Sequence, residues 1–154
     1  AQLLQLLQRS GAQAGDLMLE FTESVVLDEV EWVIQRMTEL SQQGLRFSID
    51  DFGTGYSSLS YLKNLPIHEL KIDRSFVQDA PHSPGDAALV AAMLSVAGLL
   101  KLRVVAEGVE SPEQALVFQQ HPGALLQGYL YGRPEPAEAL IGRWLAAGEE
   151  GQGA

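Results

Sequence analysis

The sequence predicts an α/β protein organised around a parallel sheet, and three observations predict it. Short apolar runs of strand length alternate with longer stretches of helical spacing, the pattern that separates α/β proteins from other classes. The short runs are apolar at most positions, as strands buried on both faces are. An acid or an amide stands at or near the end of each run, on the face where parallel α/β architectures gather their active sites. Two architectures meet these observations, an open doubly wound sheet and a (β/α) barrel.

Taken in order, Leu3, Leu4, Leu6 and Leu7 predict a helix ahead of a first strand at Leu17-Met18-Leu19. Val30, Val33, Ile34, Met37 and Leu40 follow the i, i+3, i+4, i+7 spacing of one buried helix face, which stops at Gly44. Leu45 to Ile49 and Glu69 to Ile72 read as the second and third strands. Ser83-Pro84-Gly85-Asp86 signals the start of a helix whose body, Ala87 to Leu100, is apolar almost all round, so it packs between a sheet and other helices. Leu102 to Ala106 is the fourth strand. Ser111-Pro112-Glu113-Gln114 has the form of a capping box with proline at the first helical position, which places a helix from about Pro112 onward. Leu125 to Leu130 is the fifth strand, with Gln127 inside it, and the small, polar tail Gly148 to Ala154 reads as frayed. No internal linker, repeat or low-complexity tract interrupts the pattern.

Composition narrows the function. The 154 residues are 46% hydrophobic, enough for a sizeable core and unlike a disordered or collagenous chain. No apolar stretch approaches the ~20 residues that span a bilayer, and the start AQLLQLLQRS has no signal-peptide character. The reading is a soluble, cytoplasmic domain, in a parent that another segment can tether to the inner membrane. With no cysteine, disulfides and thiolate metal sites are excluded. A net charge of −10 argues against extended DNA or anionic-membrane binding, which needs clustered Lys and Arg. A small phosphate ligand stays open.

The acids are the informative residues. Glu20, Asp50, Asp51, Asp73 and Glu107 follow successive strand runs, and Gln127 lies in the last. Taken singly, an Asp after a strand is most often a turn former or helix cap, Lys71 is a solvated strand-end residue and Gln127 a satisfied core amide. Five strand ends carrying such groups make a wholly structural account weaker. Carboxylates gathered at one spot repel and raise one another's pKa unless a cation joins them. No His or Cys set has zinc spacing, and oxygen-only ligands favour Mg²⁺ or Mn²⁺. Two such ions about 3.5–4 Å apart are a standard device for in-line displacement at phosphorus. Lys71 is the one cation expected on this face. His68, His82 and His121 are isolated and receive no role. Asp51-Phe52-Gly53 has the letters of a kinase tripeptide without its companions, and Gly53-Thr54-Gly55 lacks the third glycine of a dinucleotide fingerprint.

At these residues the sequence resembles the EAL family of cyclic-di-GMP phosphodiesterases, which are modified TIM barrels. Glu20-Phe21-Thr22-Glu23-Ser24, the run Asp50 to Leu59 (DDFGTGYSSL), Leu70-Lys71-Ile72-Asp73, Ala106-Glu107-Gly108-Val109-Glu110 and Gln127-Gly128-Tyr129 look like that family's strand-end motifs, in order. The resemblance covers roughly Leu17 to Pro136. It implies a partial TIM-like barrel of about five parallel strands. It further implies hydrolysis of one phosphodiester of cyclic di-GMP to linear pGpG with two Mg²⁺ or Mn²⁺ ions. Glu20, Asp50, Asp51 and Glu107 become metal ligands, and Lys71, Glu107 and Gln127 catalytic groups that orient water or offset charge at phosphorus. Glu110 and Asp73 contact the substrate or support the site. Glu23 anchors a mobile loop, Gly53, Thr54, Gly55, Tyr56, Ser57 and Ser58, that couples metal binding to dimer contacts.

One departure stands out: no Glu-Ala-Leu signature strand and no Asn-bearing strand precede these motifs, whereas such a barrel runs to about 250 residues. The chain also opens at Ala1. The expectation is therefore that residues 1–147 are the C-terminal two-thirds of an EAL phosphodiesterase domain, followed by a disordered tail at 148–154. The parent is expected to be active and to carry sensor or cyclase domains. The isolated piece is expected to be weak or inactive, and to form a homodimer or larger assembly through its open strand edges. The alternative is a non-catalytic cyclic-di-GMP receptor or protein-interaction module, against which the intact acids and DDFG run speak.

Overall fold

A computed structural model describes residues 2–22, 30–55 and 62–150 of the chain. Among the described residues, five strands, β1 (Met18–Thr22), β2 (Arg46–Phe52), β3 (Glu69–Ile72), β4 (Arg103–Ala106) and β5 (Ala124–Leu126), are interspersed with six α-helices. These are α1 (Gln2–Ser10), α2 (Val30–Ser41), α3 (Arg74–Asp79), α4 (Pro84–Leu99), α5 (Pro112–Val117) and α6 (Ala137–Glu150). Each strand pairs in parallel with the next, giving one sheet in the order β1-β2-β3-β4-β5. A doubly wound sheet reverses its strand order at a switch point, whereas a barrel adds strands in sequence. The unbroken order therefore decides for the barrel arrangement.

The two faces of the sheet differ. Register aligns Ile49 with Leu70 and Leu70 with Val104, and Ile72 with Ala106. This layer meets Val90, Met93, Leu94 and Ala97 of α4, and it forms the buried core together with Phe47, Phe52 and Val77. Burying one such side chain is worth about 1.5–3 kcal/mol. The opposite face mixes polar and charged side chains with the apolar Val105 and Leu125, which register with Lys71 and with each other. Ser48 aligns with Glu69 and Glu69 with Arg103, Glu69 and Lys71 are buried, and Arg103 Nε lies 2.7 Å from Glu69 Oε2. The expectation of strands apolar on both faces thus holds only toward the helices.

Local signals set the helix starts. Ser83 caps α4, accepting from the Asp86 N–H, and Ser111 with Gln114 forms the capping box of α5. The structure corrects several boundaries. β1 runs on through Glu20 to Thr22, and β2 includes Asp50 and Asp51 instead of ending before them. β5 stops at Leu126, so Gln127 lies just beyond the strand. Helices α3 and α6 were not anticipated. Residues 148–150 belong to α6 and are not a disordered tail, while 151–154 lie outside the described residues. The letters Glu-Ala-Leu do occur at 138–140, on helix α6 after the last strand and not on a strand before the first.

Candidate active site

The site is assembled at the C-terminal ends of the parallel strands. Alternation along a strand would send the side chains of Asp50 and Asp51 to opposite faces. Two departures bring them together: the pairing of β2 with β3 slips between Ile49 and Phe52, and Asp51 adopts a φ of 53°. The slip is a bulge of the kind that re-aims a side chain beside an active site, and a positive φ is uncommon outside glycine. One oxygen each from Asp50, Asp51 and Glu107 then lie within 4.8 Å of one another. The turn that follows is closed by Thr54, whose backbone N–H and hydroxyl both donate to the Asp51 carbonyl, at 3.3 and 2.8 Å. Gly53 sustains it with a φ of 99°.

Lys71, from the centre of β3, stands at the middle of the acids. Its Nζ lies 2.7 Å from Glu107 Oε1, 3.0 Å from Glu20 Oε2 and 3.2 Å from Asp50 Oδ1. Burial works against the ammonium, yet the bonds to Glu107 and Glu20 and the ion pair to Asp50 outweigh it and hold the amine above its ordinary pKa. Lys71 is a permanent cation here, unable to serve as a base at neutral pH. Asp51 shows the opposite strain. Burial, then the charges of Asp50 and Asp73, raise its pKa, with only Lys71 opposing. Asp73 experiences a raising effect from burial, but bonds from the Ser75 hydroxyl and N–H and from the Arg74 N–H lower it below the ordinary value.

Four carboxylates therefore face one ammonium. The buried Asp50 Oδ1 makes no hydrogen bond among the described residues, its charge being met by the ion pair to Lys71. Crowded hard oxygens, one of them without a hydrogen bond and a neighbour with a raised pKa, are the donor set a divalent cation fits. Asp50, Asp51 and Glu107 are the three that converge closely enough to share one, and Glu20 joins them through Lys71.

A cavity of about 300 Å³ opens onto this cluster, lined by Asp51, Asp73, Glu107, Glu110 and Gln127. Gln127 reaches it because the chain leaves β5 in a tight turn against the β4 exit. Val109 N–H donates to the Gln127 carbonyl and Leu130 N–H to the Val109 carbonyl. Gly128 permits the approach, since a Cβ there would lie 2.1 Å from the Val109 oxygen. The structure thus gathers Glu20, Asp50, Asp51, Lys71, Asp73, Glu107, Glu110 and Gln127 at one end of the sheet. Asp73 has a second task as the cap of α3, accepting from Ser75 N–H at 2.9 Å. Glu23, Tyr56, Ser57 and Ser58 lie outside the described residues. The expectation that Lys71 is the one cation on this face is corrected by Arg74, which lines the same cavity. Its signal, a cation one residue past a strand-end Asp, was visible only once that Asp was known to cap a helix.

Comparison with known proteins points one way. The profile of the EAL domain matches residues 1–134. The chain is 45% identical over 134 residues to the cyclic di-GMP phosphodiesterase NbdA of Pseudomonas aeruginosa, a match that covers 87% of this chain and 17% of that protein. It is 45% identical over 135 residues to the bifunctional diguanylate cyclase/cyclic di-GMP phosphodiesterase MucR of the same organism, covering 88% and 20%. The chain thus spans about a fifth of the length of these curated relatives. Among solved structures it resembles the PaMucR phosphodiesterase in its c-di-GMP complex, with a TM-score of 0.81 and 46% identity over 87% of this chain and 54% of that one. It also resembles Klebsiella pneumoniae BlrP1 bound to manganese and cyclic di-GMP, with a TM-score of 0.79 and 33% identity over 86% and 34%.

Proposed function

This chain belongs to the EAL domain family, and on that premise we propose that it forms the C-terminal part of a domain that hydrolyses one phosphodiester of cyclic di-GMP to linear pGpG. Relatives named cyclic di-GMP phosphodiesterases and neighbours in complex with that dinucleotide support the substrate. The observation that carries the reading is the arrangement of Lys71 Nζ within 2.7–3.2 Å of Glu107, Glu20 and Asp50, beside an Asp50-Asp51-Glu107 cluster open to a cavity.

Asp50, Asp51, Glu107 and Glu20 are the residues that would hold divalent ions, Mg²⁺ or Mn²⁺. Such ions would supply an activated water and charge neutralisation at the phosphate. The chain's own groups do the rest. Glu107 accepts a hydrogen bond from Lys71 and lines the cavity. Lys71, held protonated by three carboxylates, is a fixed positive charge that stabilises the extra negative charge developing at phosphorus. Gln127, at the cavity wall, offers an amide to orient water, and Glu110 and Arg74 border the space for the rest of the dinucleotide. Arg74 lines the cavity outside the ion pairs that Lys71 makes among the described residues, and suits a non-bridging phosphate oxygen.

Residues 1–147 are proposed as two-thirds of the domain, with turnover of these residues alone weak because further strands complete the ligand set. Cyclase or sensor domains in the parent agree with the cyclase named in one relative. Among the described residues no helix is long and apolar enough to cross a membrane. The test is incubation of the chain with cyclic di-GMP and Mn²⁺, with products separated by chromatography. Slow release of pGpG that disappears in Asp51→Asn and Lys71→Met is the expected result. Turnover near ~10 s⁻¹, typical of complete enzymes, contradicts the incompleteness. A product other than pGpG contradicts the reaction.

A further inference from the structure

A second acid and a second cation lie beneath the acid cluster, on the same face of the sheet. Alternation along β3 presents Glu69 and Lys71 to that face, two residues and so about 6.6 Å apart along the strand. Glu69 is as buried as Lys71, each being 7% exposed. Its Oε2 lies 2.7 Å from Nε of Arg103, the residue in register with it on β4. On its other side it is in register with Ser48 of β2, whose buried hydroxyl makes no hydrogen bond among the described residues. Glu69 therefore relies on Arg103 for its counter-charge and receives no help from the neighbouring hydroxyl. The pairing is selective: Lys71 meets Glu107, Glu20 and Asp50, while Arg103 meets Glu69.

Spacing alone does not enforce this division. The flexible four-carbon stem of a lysine reaches an acid two residues back on its own strand face. A buried carboxylate without a counter-charge is strongly disfavoured, so a Glu69 deprived of Arg103 would draw the nearest ammonium, that of Lys71. Divalent ions on Asp50, Asp51 and Glu107 would satisfy two of the carboxylates that hold Lys71, and the pull of Glu69 is then strongest. Arginine suits the restraining part, because it stays charged and its planar fork matches a carboxylate. We propose that Arg103 is a positioning residue for Lys71: by engaging Glu69 it removes the competing acid on β3 and keeps the ammonium directed at the cluster. Arg103 acts from outside the cavity, whose wall it does not join. The proposal rests on the phosphodiesterase reading only for the turnover half of its test.

The test compares wild type, Arg103→Leu, Glu69→Gln and the double variant in two measurements: the Mn²⁺ dissociation constant by titration calorimetry, and pGpG release from cyclic di-GMP at saturating Mn²⁺. In Arg103→Leu, Lys71 turns toward Glu69 and leaves Asp50 and Glu107 less neutralised. Mn²⁺ should then bind about fivefold more tightly, while pGpG release slows about tenfold through the misplaced ammonium. A merely structural loss weakens both. Glu69→Gln and the double variant carry no competing carboxylate and should stay within about twofold of wild type in both measurements, the distant charge being screened. Long-range charge alone predicts instead that Glu69→Gln weakens Mn²⁺ binding as much as Arg103→Leu tightens it. Melting curves establish folding. If Arg103→Leu does not fold, Arg103→Gln, which keeps amide donors for Glu69 without the charge, should shift both measurements in the same directions by less. Unchanged or weaker Mn²⁺ binding in the arginine variant, failure of Glu69→Gln to rescue it, or a wild-type chain that binds no Mn²⁺ overturns the proposal. A chain that never releases pGpG loses the phosphodiesterase reading, and the Mn²⁺ constants still decide the part played by Arg103.

Discussion

Asp51 occupies a conformation that its own chemistry opposes. Its φ is 53°, and its carboxylate stands beside Asp50 and Asp73, which together with burial raise its pKa. Asn tolerates the left-handed region and removes the charge. Asp51→Asn should therefore leave the metal-free chain as stable as wild type or more so, by up to about 1 kcal/mol in urea unfolding. A loss of stability contradicts the repulsion. Lys71 makes the converse case. Removing the ammonium leaves Glu20, Asp50 and Glu107 without their shared partner, and breaking a buried charge set by deleting one member costs roughly 3–5 kcal/mol. Partial exposure of the acids moderates this, so Lys71→Met should lose about 1–3 kcal/mol, measured by the same unfolding. Of this cluster, the identity of the acids was legible in the sequence. Their gathering at one end of the strands was legible as well; that Asp50 and Asp51 both turn into the cluster was not, because it depends on a register slip in β2 and a positive φ at Asp51 that no periodicity encodes.

Among the elements, α3 is the clearest dependency. Asp73 closes β3 and caps α3 through the Ser75 N–H, so one residue positions both the strand exit and the Arg74 side chain. Asp73→Ala should cost about 0.5–2 kcal/mol, as cap removal does. The pH dependence follows from the direction of its shift. The folded pKa lies below the ordinary aspartate value, so the stabilisation is complete above the ordinary value and is lost as pH falls through the folded pKa. Urea midpoints of wild type and Asp73→Ala should differ at neutral pH and converge in strong acid; a gap that widens with acidification contradicts the assignment. Helix starts at Ser83 and Ser111 were readable, since capping residues and proline act locally. The first two strands run three residues past their expected ends, to Thr22 and Phe52, and the fifth stops four residues short of Leu130. Polar side chains do not end the first two strands, because the sheet accepts Glu20, Asp50 and Asp51 within them.

For the whole molecule, the alternation of strand and helix gave the α/β class with two architectures open, and the family resemblance carried by the ordered motifs gave the barrel. The sequential strand order supplies the physical reason. Within the described residues β1 and β5 each pair on one side only, and Leu89, Leu99, Leu116 and Tyr131 are exposed. Open edges and apolar surface favour association, and light scattering should find species larger than a monomer; a monodisperse monomer contradicts this. The net charge of −10 also changes meaning, because part of it is the Asp50-Asp51-Glu107 cluster proposed as a cation site. Ligands that bind only the folded state raise its melting temperature with concentration. The most direct measurement is the melting temperature of the chain across a Mn²⁺ titration, in wild type and in Asp51→Asn. A concentration-dependent rise in wild type that is abolished in Asp51→Asn is the predicted result. No rise, or an equal rise in both proteins, contradicts the claim that Asp50, Asp51 and Glu107 form a divalent-cation site.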